Sequence, residues 1–365
     1  MEGTENNMID QRNLRYFLGG NTSHGFFSLF DSFISLSDSD FLWIIKGGPG
    51  CGKSSFMKMI AGKAERAGFN VEYAVCSGDP ASLDGIYIPE LKIAYIDGSS
   101  PHASDSNLSA TDCAYINLGA FYDREAISEY KSELKELNAS LQAKNDTAFA
   151  LFAAAGKLRL GWQNGFSNES EKEAAIKRVN GITVKEFGKR HREKGRIKRR
   201  FLSAFTSDGL SSFSETAQTL CKRFYVFENR LQLGEMALEK VAESAVNSGN
   251  EIVICPNPLT PEVMEAILVP SLSLGFVTSD SALSHIPDTR RIRFDALVDS
   301  ERLKENKREI RRSEKLIFSL ISEGISALAE ARGLSARIEE IYNSNFDFDS
   351  VYSLVSEHIL TLGIK

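Results

Sequence analysis

The densest chemistry in the chain lies in nine consecutive residues: Gly47, Gly48, Pro49, Gly50, Cys51, Gly52, Lys53, Ser54 and Ser55. They fit the spacing G-x-x-x-x-G-K-[ST], with Gly47, Gly52, Lys53 and Ser54 at the defining places. Wrapping a polyphosphate in backbone N–H groups needs turns and close approaches that side chains would block, which is what the glycines permit. Pro49 stiffens the turn, and Cys51 is expected to be a small filler whose blocking by a thiol reagent would interfere with binding. Lys53 is placed to reach the β- and γ-phosphates, and the Ser54 hydroxyl to ligate Mg²⁺. A second ligand for the metal, a carboxylate, is expected at Asp97, where the apolar run LKIAYI ends in Asp-Gly; an aspartate closing a strand beside such a loop holds Mg²⁺. Asp-Gly is also a common turn pair. Further polar groups follow the same strands: Ser77, Asp79, Ser82, Asp84 and His102. Asp79, Asp84 and His102 are candidates to orient an attacking group, and Ser82 or Asp84 could equally cap a turn or helix.

The elements that must position these groups are legible around them. Residues 41–46 are an apolar run that reads as a strand, and KSSFMKMIAGKAERA (53–67) carries Phe56, Met57, Ile60 and Ala64 at helical spacing, ending near Gly68. Further strands are expected at about 70–76 and 91–97, with a short irregular segment between them. Strands alternating with helices predict an α/β fold, a parallel sheet flanked by helices of the P-loop NTPase kind, with its ligand at the carboxyl ends of the strands.

The pattern occurs twice. Phe17, Leu18, Thr22, Ser23 and Gly25 recur as Phe201, Leu202, Thr206, Ser207 and Gly209 at a separation of 184, and Gly68, Pro80, Pro89 and Leu91 as Gly249, Pro261, Pro270 and Leu272 at 181. A tandem duplication with three residues lost near the second loop follows, giving domains 1–195 and 196–365, as expected for a chain of this length. At a separation of 181, Lys53, Ser54 and Asp97 fall on Gly234, Glu235 and Thr278. No G-K-[ST] occurs in 199–260, so one nucleotide site per chain is expected, in the first half.

Long helical segments are expected after each half. Ile127, Tyr130, Leu134, Leu137 and Leu141 form one apolar seam, and Leu303, Ile310, Ile317, Ile321 and Leu328 another; helix packing within the chain is favoured over a dimerising coiled coil because the seams are short. Residues 161–170 read as a loop. The basic run from Lys185 to Arg200 (with Lys189, Arg190, Arg192, Lys194, Arg196, Lys198 and Arg199) reads as a solvated linker, because no aromatic stacking pattern accompanies it. Net charge is −6 and no apolar run approaches a membrane span, so neither nucleic acid nor membrane is an expected partner. The five scattered cysteines and the polar N-terminus point to a reducing cytoplasm.

Four stretches, GNTSHGF (20–26), KGGPGCGKSS (46–55), CSGDPASLDGIYIPEL (76–91) and IDGSSPH (96–102), resemble a family of bacterial cytoplasmic P-loop ATPases built as two tandem copies. The resemblance spans essentially the whole chain and implies ATP binding and hydrolysis, but no known second substrate. In that family the second copy can carry its own phosphate loop, and this sequence departs there. The expected function is an Mg²⁺-dependent ATPase. Two other readings stay open: a small-molecule kinase, and a nucleotide-gated binding protein without turnover. The G-protein signature N-K-x-D is absent, which favours ATP over GTP. For an arginine acting on the phosphates, Arg15 and the basic run are the candidates.

Overall fold

The computed structural model describes residues 13–33, 40–99, 112–161, 168–188, 193–229, 232–298 and 300–364. His102, the basic residues Lys189, Arg190 and Arg192, and 162–167 of the expected loop lie outside the described residues, as does the side chain of Leu303.

In chain order the first half comprises β1 (Leu14–Phe17), a hairpin of β2 (Gly19–Thr22) and β3 (Gly25–Ser28), β4 (Phe41–Lys46), α1 (Lys53–Arg66), β5 (Glu72–Val75), β6 (Leu83–Ile88), β7 (Ile93–Asp97) and β8 (Cys113–Asn117). Helices α2 (Arg124–Glu129), α3 (Lys131–Gly161) and α4 (Glu169–Phe187) follow. The second half repeats the plan: β9 (Ile197–Arg199), the hairpin β10 (Ser203–Thr206) and β11 (Gly209–Ser212), a short α5 (Ser214–Leu220), β12 (Arg223–Phe227), α6 (Leu233–Asn247), β13 (Ile252–Pro256), β14 (Met264–Val269), β15 (Leu274–Thr278), β16 (Thr289–Ile292), α7 (Ser300–Asn343) and α8 (Phe348–Thr361).

Two six-stranded sheets result, ordered β1-β5-β6-β7-β4-β8 and β9-β13-β14-β15-β12-β16. The order is the same, and so is the defect: each sheet carries a register shift at the equivalent step, Ala74/Val75 and Cys255/Pro256. The expected all-parallel sheet is corrected to a mixed one. β6 runs antiparallel to β5 and β7, as β14 does to β13 and β15. The segment expected to be irregular is therefore a strand. Its connections, residues 76–82 and 89–92, are too short for the crossover that parallel neighbours need.

The halves meet about a local twofold axis. Phe17 N–H donates to Phe201 C=O at 2.9 Å and Phe201 N–H to Phe17 C=O at 3.0 Å. A residue that exchanges bonds with its own counterpart is the signature of a self-complementary contact. One apolar core runs through this junction, joining Phe17, Leu18 and Tyr95 of the first half to Phe201, Leu202 and Val226 of the second.

The helices then change sides. α4, which follows the first sheet, packs on α6 of the second through Ala175 and Val179. α8, at the chain's end, packs on α1 and the first sheet through Val351 and Val355, with the His358 ring against Trp43 and Tyr95. Between them α3 and α7, of 31 and 44 residues (about 46 and 66 Å long), lie antiparallel, with Glu133 by Arg337, Lys144 by Glu330 and Phe152 over Gly324. Both seams legible in the sequence pack within the chain, though not on each other: Leu134, Leu137 and Leu141 meet Ile338 and Ile341, Ile317, Ile321 and Leu328 meet Ala148 and Phe152, and Ile310 joins the core of the second half.

Candidate functional site

Strand β4 lies between β7 and β8, almost wholly apolar as a strand covered on both faces must be. At its carboxyl end the chain turns through Gly47–Gly52 into α1. Gly52 is the N-cap at φ +77°, a left-handed conformation that glycine adopts without strain, and no side chain caps the helix. The first-turn N–H groups of α1, which lack partners within the helix, face a cavity with the partial positive charge of the helix end. That cavity has a volume of ≈ 810 Å³, within the range of ligand sites.

Lys53 folds back along the loop. Its Nζ donates to the Gly47 and Gly48 carbonyls at 3.0 and 2.8 Å and lies 3.6 Å from Asp97 Oδ2. Asp97 is brought there by the parallel pairing of β7 with β4, which sets it opposite Ile45. Its other oxygen, Oδ1, accepts from Ser99 N–H at 2.7 Å, so the Asp-Gly turn and the carboxylate beside the loop are both real features of this residue. The Ser54 hydroxyl accepts the Leu83 N–H at 3.0 Å and ties the start of α1 to β6. Cys51 is 1% exposed, and burial pushes its thiol pKa up although Lys53 opposes this. It is a packed filler that reagents reach poorly.

The loop is braced both from within its own half and from the other. Tyr122 Oη donates to the Pro49 carbonyl at 2.6 Å. Gly50, at φ +70°, sits so close to α7 that a Cβ would lie 2.4 Å from Asn343 Oδ1 and 3.0 Å from the Glu339 carbonyl. Across the cavity, the segment after β5 supplies Ser77, Asp79 and Asp84. Asp79 caps its own turn, accepting from Ala81 N–H at 3.3 Å and the Ser82 hydroxyl at 2.7 Å, so the cap falls on a residue other than the expected Ser82 or Asp84. Asp84, 2% exposed, lies inside β6 on the cavity wall. The Ser77 hydroxyl is buried without a hydrogen-bond partner among the described residues.

α3 and α7 close the cavity with groups that no local motif announces: Gln142 and Asn145 from α3, and Arg332, Ser335 and Glu339 from α7. Arg332 bridges Asp79 Oδ2 at 3.1 Å and Glu339 Oε1 at 3.3 Å. Two of the arginines expected from sequence, Arg15 and Arg200, lie elsewhere. Arg15 stacks over Tyr73, and Arg200 of the basic run is buried, donating to the Ser32 and Phe33 carbonyls, each at 2.8 Å, over the Tyr16 ring. Among the described residues no group of three or more His, Cys, Asp or Glu side chains is arranged to hold a metal ion, and no helix is long and apolar enough to cross a membrane.

The equivalent place in the second half is filled. Helices α1 and α6 both start after a left-handed N-cap, Gly52 and Gln232, which sets Lys53, Ser54 and Ser55 opposite Leu233, Gly234 and Glu235. The assignment of Glu235 to the Ser54 place is corrected by one position: the second loop (228–232) is one residue shorter than the first (47–52), and α6 is one residue longer than α1. A buried leucine stands where Lys53 stands, and Thr278 closes β15 where Asp97 closes β7. Glu235 is bound by Arg159, which reaches in from the end of α3. Arg159 also contacts Thr260 at 2.9 Å and Asp280 at 3.2 Å, while Asn229 bonds Glu235 and Asp280, each at 2.9 Å. Burial raises the Glu235 carboxyl pKa even against the Arg159 charge.

Comparison of the chain with protein-family models, with curated proteins and with solved structures finds no match.

Proposed function

We propose that the chain binds one molecule of ATP with Mg²⁺ in the first-half cavity and hydrolyses it. The observation that carries this reading is the loop itself: an uncapped helix N-terminus preceded by glycine turns, with a lysine folded along it and an aspartate at the end of the adjacent strand. Backbone N–H groups and a helix dipole favour a polyanion, and Lys53 leaves its carbonyl partners for phosphate oxygens at little cost. The residues also suit a metal that arrives with the nucleotide: Ser54 and Asp97 would hold Mg²⁺, which would neutralise phosphate charge. The family resemblance points the same way.

Lys53→Ala tests the reading. Removing a charge-assisted contact is expected to weaken ATP by roughly 100-fold in calorimetry with Mg²⁺; unchanged affinity would reject the assignment. The cavity's polar far wall, with the unpartnered Ser77 hydroxyl, also supports a second reading, a kinase that passes the γ-phosphoryl group to an acceptor hydroxyl. Acceptor-dependent ADP release would favour it.

A further inference from the structure

We propose that Arg332 is a catalytic residue of the first-half site, supplied to it by the helix of the second half; this rests on the nucleotide reading above. Arg332 lines the same cavity as Gly50–Ser55. It stands two turns before Glu339, whose carbonyl abuts Gly50 of the loop, and it is bonded to Asp79 in the segment tied to Ser54 through Leu83. Its guanidinium is therefore held across the cavity from the start of α1.

The second half shows how far such an arginine reaches. Asp79 and Thr260 are counterparts at the separation of 181 that relates β6 to β14 and β7 to β15. Arg332 of α7 bonds Asp79, and Arg159 of α3 bonds Thr260. Each arginine thus comes from the helix that follows the other half's sheet. Arg159 goes further: it grips the Glu235 carboxylate in the first turn of α6, the place of Ser55 in α1. An arginine of this pair can therefore meet a negative group at the helix start, and in the first half that group is the nucleotide's phosphate.

Arg332 is restrained by two carboxylates, Asp79 and Glu339, with which a triphosphate's several negative charges compete. Its N–H groups are suited to phosphate oxygens by their planar fork. In hydrolysis a water oxygen forms the new bond to the γ-phosphorus while the bond from that phosphorus to the β,γ-bridging oxygen breaks. The electron pair leaves on ADP, and the water proton passes to solvent. Arg332 donates to the oxygens on which negative charge builds. Because the group comes from the second half, turnover depends on the α3–α7 pair holding the halves in register, which gives the degenerate half a task.

The test uses the full chain as wild type, Arg332→Ala, Arg332→Lys and Glu339→Gln, with three readouts: MgATP affinity, phosphate release, and retention of ADP with aluminium fluoride. Arg332→Ala is expected to bind ATP within about threefold of wild type, to release phosphate at least roughly 100-fold more slowly, and to lose retention of ADP–aluminium fluoride. Arg332→Lys keeps the charge without the fork, so it should fold and remain slow by at least roughly tenfold. Glu339→Gln should remain at least about tenfold faster than Arg332→Ala, since it loosens the restraint and leaves the guanidinium in place. Arg332→Ala turning over within about threefold of wild type would overturn the proposal, and so would Glu339→Gln falling as far as Arg332→Ala, the mark of a merely structural bridge. If wild type binds ATP without turnover, equal retention of ADP–aluminium fluoride by wild type and Arg332→Ala overturns it. A wild type that binds no ATP rejects the nucleotide reading itself, and this proposal with it.

Discussion

The two halves share strand order, hairpin and a sheet irregularity at the same step, yet the space at the start of their central helices is treated in opposite ways. In the first half a cavity of ≈ 810 Å³ is ringed by Lys53 on backbone carbonyls, Asp97 beside it, Arg332 held by Asp79 and Glu339, and Ser77, whose hydroxyl has no partner among the described residues. In the second half Glu235, Arg159, Asp280 and Asn229 satisfy one another and fill the place. Charged groups inside a protein need partners. The first half keeps an open space beside such groups, and in the second the equivalent place is filled by its own side chains.

The strongest way to break this contrast is to remove the internal partner. Arg159→Ala takes from Glu235 the guanidinium that binds it beside Asp280, and breaking a buried pair costs about 3–5 kcal/mol. Chemical denaturation should show a loss of that size; a loss below about 1 kcal/mol would mean that the second site is more open to water than its geometry indicates.

Protonation sharpens the contrast next. Glu265, the counterpart of Asp84, is fully buried, and burial lifts its pKa to about 7, although hydrogen bonds from Ser203 and Ser281 oppose the shift. The folded value exceeds the unfolded one near 4.5. Its contribution to stability is therefore complete below about pH 4.5 and lost as pH rises through 7, on the order of 3 kcal/mol across the window. The stability difference between wild type and Glu265→Gln should change with pH over that interval; a difference flat in pH would show that the carboxyl is already ionised in the fold.

Gly50→Ala is the mildest probe. It forces a left-handed residue and presses a methyl group on Asn343 and the Glu339 carbonyl, for a loss of about 1–2 kcal/mol in thermal unfolding and weaker ATP binding. Wild-type stability would show that the loop is not seated against α7.

Local features of this architecture were readable because local physics determines them. The apolar run of β4, the glycine turn, and the period of Phe56, Met57 and Ile60 each specify their own element. Two separations, 184 and 181, revealed the duplication, and the seams of α3 and α7 revealed intramolecular pairing. Strand β6 was hidden because LDGIYI carries an aspartate and a glycine within a short run, which weakens the strand pattern. Its antiparallel direction follows only from connections whose lengths matter once it is known to be a strand. Arg332 lies 279 residues from Lys53 in the chain, and nothing near it in sequence marks it; only the antiparallel crossing of α3 and α7 carries it to the cavity. The exchange of α4 and α8 between sheets was equally out of reach, since an amphipathic helix shows which face it buries but not which sheet receives it.

The claim at the centre of this account is that one half is open to nucleotide and the other is closed by its own charges. Counting the ATP molecules bound per chain at saturation, by equilibrium dialysis with Mg²⁺ on wild type and Lys53→Ala, tests it most directly. One per chain, falling to none in the variant at the same concentration, is the expected result. Two per chain, or one that survives the loss of Lys53, would contradict it.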